Sequence, residues 1–428
     1  MVDDLETLGE SFTTYFKRSR LLKVGLAFNV IYYISVIIGL VFFLIQGTLF
    51  DTVYTVDFRV FFEAGQVFRN SPGDIYLVNP NGLPFRYFPS FAAFMSVFSD
   101  FPILILYLID ISLMMVFNFG IVYFVYLICL QMGVTPVTKN FEKTLVFVLI
   151  APQHIINIIF GQITQLAILL ALIVLFLLQS SKHDSFNWFI AIGLLIGIAS
   201  TLKPFFLILI PFLIPITVMK RSYIVVPLRQ LAGVVSGILL TMLPNIVYFI
   251  LYPTALNDII QVNLFENLTG QHSTSITNLI LALIPSSDIF PLRLAIILIL
   301  GGFISFRSYI QFIKTPESQK NYLRHFTDMM FVVLLVYPDS WFLFLAVWYV
   351  FLAPSMLHLY SKESLPEKES RRLDILWPGA NNLLAFFSFG IVIHYFVLGF
   401  DPINPIWLAI LYIMYTQISD SVFSITEE

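Results

Sequence analysis

Charge is what this sequence has least of. Asp, Glu, Lys and Arg make up 11% of the 428 residues, against about 25% in soluble domains, so a water-facing surface cannot be built from it. Cysteine is nearly missing as well. Cys129 is the single one and sits inside an apolar run, which excludes a disulfide framework and a cysteine-rich metal site. No repeat of about 20–50 residues is visible, so a solenoid or propeller is excluded too. In their place stands hydrocarbon: 58% of residues are apolar, 45 of them Phe, and the mean hydropathy is +0.88. Disorder, fibrous structure and a water-soluble enzyme are all incompatible with that composition, and the solvent of this chain is a bilayer.

Crossing about 30 Å of hydrocarbon takes about 20 apolar residues. Runs of that kind lie near 24–46, 103–131, 144–160, 163–180, 187–203, 204–219, 230–252, 290–313, 327–337, 341–359, 380–399 and 405–423. The expectation is an all-α polytopic membrane protein with about twelve transmembrane helices, organised as one membrane-embedded domain over residues 1–428. The stretch 88–99 is too short to span and reads as a re-entrant or interfacial piece. Because an acidic stretch precedes the first run, that run reads as a retained anchor and not a cleaved signal peptide.

Basic residues orient the chain, because short cytoplasmic loops hold an excess of Lys and Arg. With the N-terminus inside, 18 of the 23 basic residues fall on the cytoplasmic side, and the remaining five are Arg59, Arg69, Arg86, Lys203 and Arg293. Both termini are therefore expected in the cytoplasm, with the protein in the cell membrane.

Only two outer loops have any length, 51–87 and 253–289, at 37 residues each. Neither holds a nucleotide-binding domain, which takes about 100 residues or more. In the first, Phe58, Phe61, Phe62, Gly65 and Phe68 share one helical face, while Arg59, Glu63, Gln66 and Asn70 share the other, so an interfacial helix is expected over 55–70. Polar residues break apolar runs on this same outer side at Gly161-Gln162, Lys203-Pro204, 266–278 and 338–341. Polar groups at membrane depth are costly and usually line a cavity, so these four stretches and the first loop, five in all and converging on one face, form the functional signal, with the two long loops as its walls. Matched polar features in two halves, expected of an alternating-access transporter, are not found.

In chain order, Asp57 within D-F-x-x-F-x-x-A-G (57–65), Tyr87-Phe88-Pro89, Gly161-Gln162, Lys203-Pro204, Gln271-x-Ser273 and Pro338-x-Ser340-Trp341 resemble glycosyltransferase family 87. These are membrane mannosyltransferases of the GT-C fold that use polyprenyl-phosphate-mannose. The match covers 57–341. Ser90 departs from it where relatives often carry a second Pro, and Phe342-Leu343 where they often carry acidic or His residues. The first loop is also similar to the first mannosyltransferase of glycosylphosphatidylinositol assembly.

The resemblance implies an inverting transfer of mannose, or a related hexose, from polyprenyl-phosphate-sugar to a lipid or glycan acceptor on the outer face. Such chemistry needs a base, cations for the departing phosphate and a greasy slot for the prenyl chain. Asp57 is the expected base, with a helix N-cap as its ordinary alternative. Lys203, Arg86 and His272 are the expected phosphate ligands, and snorkelling, lipid contact and a solvated loop His are their bland counterparts. Arg59, Tyr87, Gln162, Gln271, Ser273 and Trp341 are expected at the sugar or acceptor, though Arg59 also stands four residues from Glu63, the spacing of an ordinary helical pair. Asp339 and Glu266 are reserve carboxylates. Nothing demands a metal or another cofactor, and the expected partners are donor, acceptor and membrane lipids, with no nucleic acid. The Phe-rich helices at 101–131 and 341–359 are candidate walls for the prenyl slot. A flippase or carrier of lipid-linked sugars is the alternative outside transfer chemistry.

Overall fold

The computed structural model describes residues 12–48, 55–136, 139–180, 185–218, 223–265, 273–284, 290–317, 320–337, 340–361, 365–386, 397–398 and 402–424. Helices dominate them: α1 (Arg20–Ile45), α2 (Val56–Asn70), α3 (Pro89–Ser96), α4 (Ile103–Gln131), α5 (Lys139–Ile150), α6 (Pro152–Phe160), α7 (Thr164–Gln179), α8 (Phe186–Leu202), α9 (Leu228–Leu251), α10 (Pro253–Ile260), α11 (Ile276–Leu283), α12 (Phe290–Ile296), α13 (Gly302–Lys314), α14 (Tyr322–Val336), α15 (Leu345–Tyr360), α16 (Glu367–Phe386) and α17 (Ile403–Ser424). The described strands are β1 (Thr217–Val218) and β2 (Ile224–Val225), an antiparallel pair with Thr217 opposite Val225. This is an all-α membrane protein. Six described helical stretches are long and apolar enough to cross a bilayer: 20–45, 103–131, 140–160, 228–251, 291–314 and 342–360.

Several expected spans take a different form. The sixth, 204–219, is a 3-10 segment over Pro204–Phe212 followed by β1. Pro204 and Pro211 remove two amide donors, and nine residues at about 2.0 Å rise reach only about 18 Å, short of a full crossing. The third keeps the length of a crossing, 140–160, but has a break at Ala151 before Pro152 that separates α5 from α6. α14 starts at Tyr322 instead of 327, and α16 starts at Glu367 instead of 380, with 387–396 and 399 of that run outside the described residues.

The closest helix pair is α8 against α9. A Cβ on Gly193 would lie 2.2 Å from the Val234 carbonyl oxygen, and one on Gly237 would lie 2.3 Å from that of Ile190. Two small-xxx-small stripes, Gly193/Gly197 and Gly233/Gly237, thus let two backbones touch, which is how helices associate where lipid competes with every apolar side chain. Leu239, Leu240, Leu243, Val247 and Ile250 on α9 stay exposed, as expected of a face turned to lipid.

Asp420 of α17 takes hydrogen bonds from Arg307 and Gln311 of α13 and from Arg324 of α14. Arg307 and Arg324, two of the 18 basic residues expected on the cytoplasmic side, are helical and tie α17 to its neighbours.

Candidate active site

Asp57 lies on α2, which forms as its alternation of faces requires. Phe58, Phe61, Phe62 and Gly65 are buried, and Arg59 Nε is 2.6 Å from Glu63 Oε1 on the other face. Helix α2 packs on α3 so tightly that a Cβ on Gly65 would fall 2.7 Å from the Met95 carbonyl carbon. It is thus a helix clamped against protein along its glycine face.

The start of α2 is strained. Thr55, its N-cap residue, has φ of 62°, the one positive φ outside glycine among the described residues. A left-handed conformation costs a β-branched residue on the order of 1–2 kcal/mol. Its amide donates to the Ile159 carbonyl at 3.0 Å and its carbonyl accepts from Arg59 N at 2.7 Å, which hold the turn in place. Asp57 follows as the second helical residue, half-buried, within the first turn. The N-cap role that was its ordinary alternative belongs to Thr55, whose side chain makes no capping bond.

Gly161 ends α6 with φ of 72°, and this brings Gln162 under α2. A Cβ on Gly161 would lie 2.5 Å from Phe58 Cβ and 3.1 Å from the Tyr107 ring. The Tyr107 hydroxyl sits between the carbonyls of Ile158 and Ile159, at 3.0 and 2.7 Å. The Gly-Gln turn and the helix carrying Asp57 are thus fixed to each other by contact and hydrogen bonding.

Lys203 caps the C-terminal end of α8 and is 4% exposed. Its ammonium donates to Gln162 Oε1 at 2.6 Å and to the Tyr87 hydroxyl at 3.0 Å. Tyr87 in turn donates to Gln162 Oε1 at 3.2 Å. Rings of Tyr87 and Phe344 lie 5.0 and 5.2 Å from Nζ, close enough for cation–π attraction. A cation this buried survives because charge-assisted hydrogen bonds and aromatic faces replace its water. Three residues separately expected at the site, Tyr87, Gln162 and Lys203, therefore form one hydrogen-bonded unit drawn from three segments.

Tyr87 is itself positioned. Its carbonyl accepts from the Tyr76 hydroxyl at 3.0 Å, and its ring packs edge-on to Phe61 of α2 at 4.8 Å. Burial, with Tyr248 and Asp258 nearby, pushes the Tyr76 hydroxyl well above the usual tyrosine range, so it stays a donor at physiological pH. Two residues on, α3 begins with Pro89, and the Ser90 amide donates to Asn245 Oδ1 of α9 at 2.8 Å. Asn245 satisfies an amide at the start of a short helix and anchors the segment that carries Tyr87.

The second outer loop joins through Ser273, which pairs in a β-bridge with Trp341, while Thr274 N donates to Ser340 O at 2.7 Å. Three residues after Trp341, Phe344 reaches Lys203 and packs on Phe205 at 5.3 Å. Arg86 is half-buried beside Tyr87, and its carbonyl accepts from Asn263 at 3.5 Å. Arg59 is engaged with Glu63 on α2. Gln271, His272, Glu266 and Asp339 lie outside the described residues.

A polar layer on α6 escaped the sequence reading. Gln153, His154 and Asn157 are fully or almost fully buried, as is Gln165 on α7, whose amide donates to the His154 carbonyl at 3.4 Å. The Asn157 carbonyl accepts from Gln162 N at 2.7 Å, so this layer lies directly beneath Gln162. The signal was present: polar residues at i, i+1 and i+4 within one run assigned to hydrocarbon mark one helix face turned to protein. Among the described residues no cluster of three His, Cys, Asp or Glu side chains is arranged for metal binding. The chemistry on offer is a buried ammonium, a phenol, an amide and a carboxylate at a helix start. No protein family and no curated protein matches the chain.

Proposed function

We propose that the chain is an integral membrane glycosyltransferase of the GT-C fold, with about twelve spans and both termini in the cytoplasm. It moves mannose, or a related hexose, from polyprenyl-phosphate-sugar to a lipid or glycan acceptor on the outer face of the cell membrane. The observation that carries the reading is the Lys203 ammonium, buried at the outer end of α8 and held by Tyr87 and Gln162 beside the helix that carries Asp57. A fixed cation in a low-dielectric place stabilises charge developing on a departing phosphate without reorganising.

In the proposed step the acceptor hydroxyl attacks the anomeric carbon on the face opposite the phosphate. The new C–O bond forms as the old one breaks, its electron pair leaves on the phosphate oxygen, and configuration inverts. Asp57 takes the hydroxyl proton. Lys203, with Arg86 and His272, takes up the phosphate charge, while Gln162, Arg59, Gln271, Ser273, Tyr87 and Trp341 contact sugar and acceptor. A phosphate departs well unprotonated, so the mechanism needs no general acid.

Proteoliposomes containing the purified protein, polyprenyl-phosphate-mannose with labelled mannose, and a membrane lipid extract as acceptor test this. Formation of a labelled glycoside that survives mild acid, which cleaves the donor, is the expected result. Label that crosses the bilayer with no new glycoside would establish a carrier in its place.

A further inference from the structure

The polar layer beneath Gln162 has more hydrogen-bonding groups than the protein around it satisfies. Gln153, His154, Asn157 and Gln165 are 0%, 2%, 0% and 0% exposed. Five of their polar atoms, Gln153 Oε1, His154 Nδ1, Asn157 Oδ1 and Nδ2, and Gln165 Oε1, find no hydrogen-bond partner among the described residues. Buried polar groups in that condition are rare, because each has given up water and received nothing for it.

Two of the amides are oriented by what they do reach. Gln153 Nε2 donates to the Leu384 carbonyl at 2.9 Å, and Gln165 Nε2 to the His154 carbonyl at 3.4 Å. A carbonyl accepts only from the NH2 end, so an oxygen is the open end of each. Asn157 offers one acceptor and one donor whichever way its amide is turned. These groups also share a place. Gln153 and Asn157 are four residues apart on α6 and His154 and Asn157 three apart, the spacing of neighbours on one helix face. Gln165 joins them from α7 through its bond to His154, and from above the Gln162 amide donates to the Asn157 carbonyl at 2.7 Å.

An occupant that completes this layer donates to the three amide oxygens and also accepts from the Asn157 amide nitrogen. An anion fails at the oxygens. A divalent cation takes carboxylate ligands, and the open atoms belong to amides and an imidazole. A monovalent cation serves the oxygens but accepts nothing from Asn157 Nδ2, and the Lys203 ammonium at the other end of Gln162 repels it. Water both donates and accepts. We propose that the layer is a binding site for ordered water, about two molecules at about three hydrogen bonds each. They bridge α6 to α7 and give the candidate site a hydrated floor inside the bundle. This holds whether or not the chain transfers sugar.

X-ray radiolysis of the full chain in detergent tests it, because hydroxyl radicals born from a bound water oxidise the side chains that touch it. His325 is the control. It is as buried as His154, at 3% exposure, but its Nδ1 is bonded to Ser308 Oγ at 2.9 Å. The expected result, read by mass spectrometry, is oxidation of His154 and none of His325. Asn157→Leu and Gln165→Leu each put carbon in place of the open polar atoms and should suppress the oxidation of His154, with the size-exclusion profile showing which variant is folded. The wild-type comparison of the two histidines depends on neither variant. A His154 as inert as His325 would overturn the proposal. So would equal oxidation of both, the mark of radicals arriving from outside, or oxidation that persists in a folded variant. Oxidation of His154 suppressed by sodium chloride and not by choline chloride would overturn it as well, since a cation would then stand where water is placed.

Discussion

Phe58 and Gly161 meet so closely that a single added methyl group at Gly161 would stand 2.5 Å from Phe58 Cβ. Gly161 also holds a left-handed φ of 72°. Gly161→Ala therefore meets two independent penalties, a conformational one on the order of 1–2 kcal/mol and a steric one on the order of 1–3 kcal/mol. Thermal unfolding of the purified protein should show a clear loss of stability, and Phe58→Ala in the same chain should not restore it, because the clashing atom is the Cβ that alanine keeps.

Asp57 separates chemistry from folding. As the second residue of α2 its charge favours the helix start by about 0.3–1 kcal/mol. Asp57→Asn keeps the size of the side chain and most of its hydrogen-bonding capacity, so the variant should fold and bind donor nearly as before. Without a proton acceptor, transfer should fall by about 10²–10⁴. Near-normal turnover would remove Asp57 from the mechanism.

Lys203→Met should behave differently. Gln162 Oε1 keeps the Tyr87 hydroxyl at 3.2 Å, so the local fold persists. The lost charged hydrogen bond to phosphate is on the order of 1.5–3 kcal/mol, which weakens donor affinity by roughly ten- to a hundredfold. Affinity for polyprenyl phosphate without sugar should fall equally, since in the proposed reaction the ammonium meets phosphate and not hexose.

The α8–α9 seam predicts which glycines matter. Gly237→Leu drives a side chain into the Ile190 carbonyl and should abolish stable expression, while Gly302→Leu, where a Cβ meets nothing within 4 Å, should be tolerated. Detergent-solubilised yield by size-exclusion profile distinguishes them.

Lys320, in the turn before α14, donates to the Ile216 carbonyl at 2.9 Å and to that of Phe312, and lies over the Phe312 ring. Burial pushes its ammonium down to about 8, against a smaller opposing pull from Glu317. The unfolded chain, at about 10.4, holds this proton longer than the folded one, so stability rises with pH between the two values and is flat in this respect below about 8. The unfolding midpoint should climb from about pH 7.5 to about pH 9.5 in the wild type, and Lys320→Met should flatten that climb.

Much of the candidate site was legible from residue type and spacing. Helix α2 follows its two faces, and Gln162, Lys203 and Tyr87 broke apolar or aromatic runs where a polar group has to be bought back by a partner. What escaped depended on contacts between distant segments. Asn245 looks like a stray amide beside Pro244 until α3 is placed against it, and Asp420 looks like a tail carboxylate until Arg307 and Arg324 reach it. The sixth apolar run misled for another reason. Hydropathy counts carbon, whereas Pro204 and Pro211 decide whether the backbone forms a helix that can cross a membrane.

The contact of α8 with α9 through bare backbone also fixes a depth. Lys203 ends a helix locked to its neighbour with no deformable side chains between them, so its height is set by the protein and not by the surrounding lipid. Lipid phosphates shift their height with bilayer thickness, by a few Å between membranes of different composition. The ammonium does not follow them. Under the proposed reaction, a bilayer that is too thick or too thin would carry donor phosphates past a stationary cation, which would make the protein selective for membrane thickness as well as for lipid chemistry.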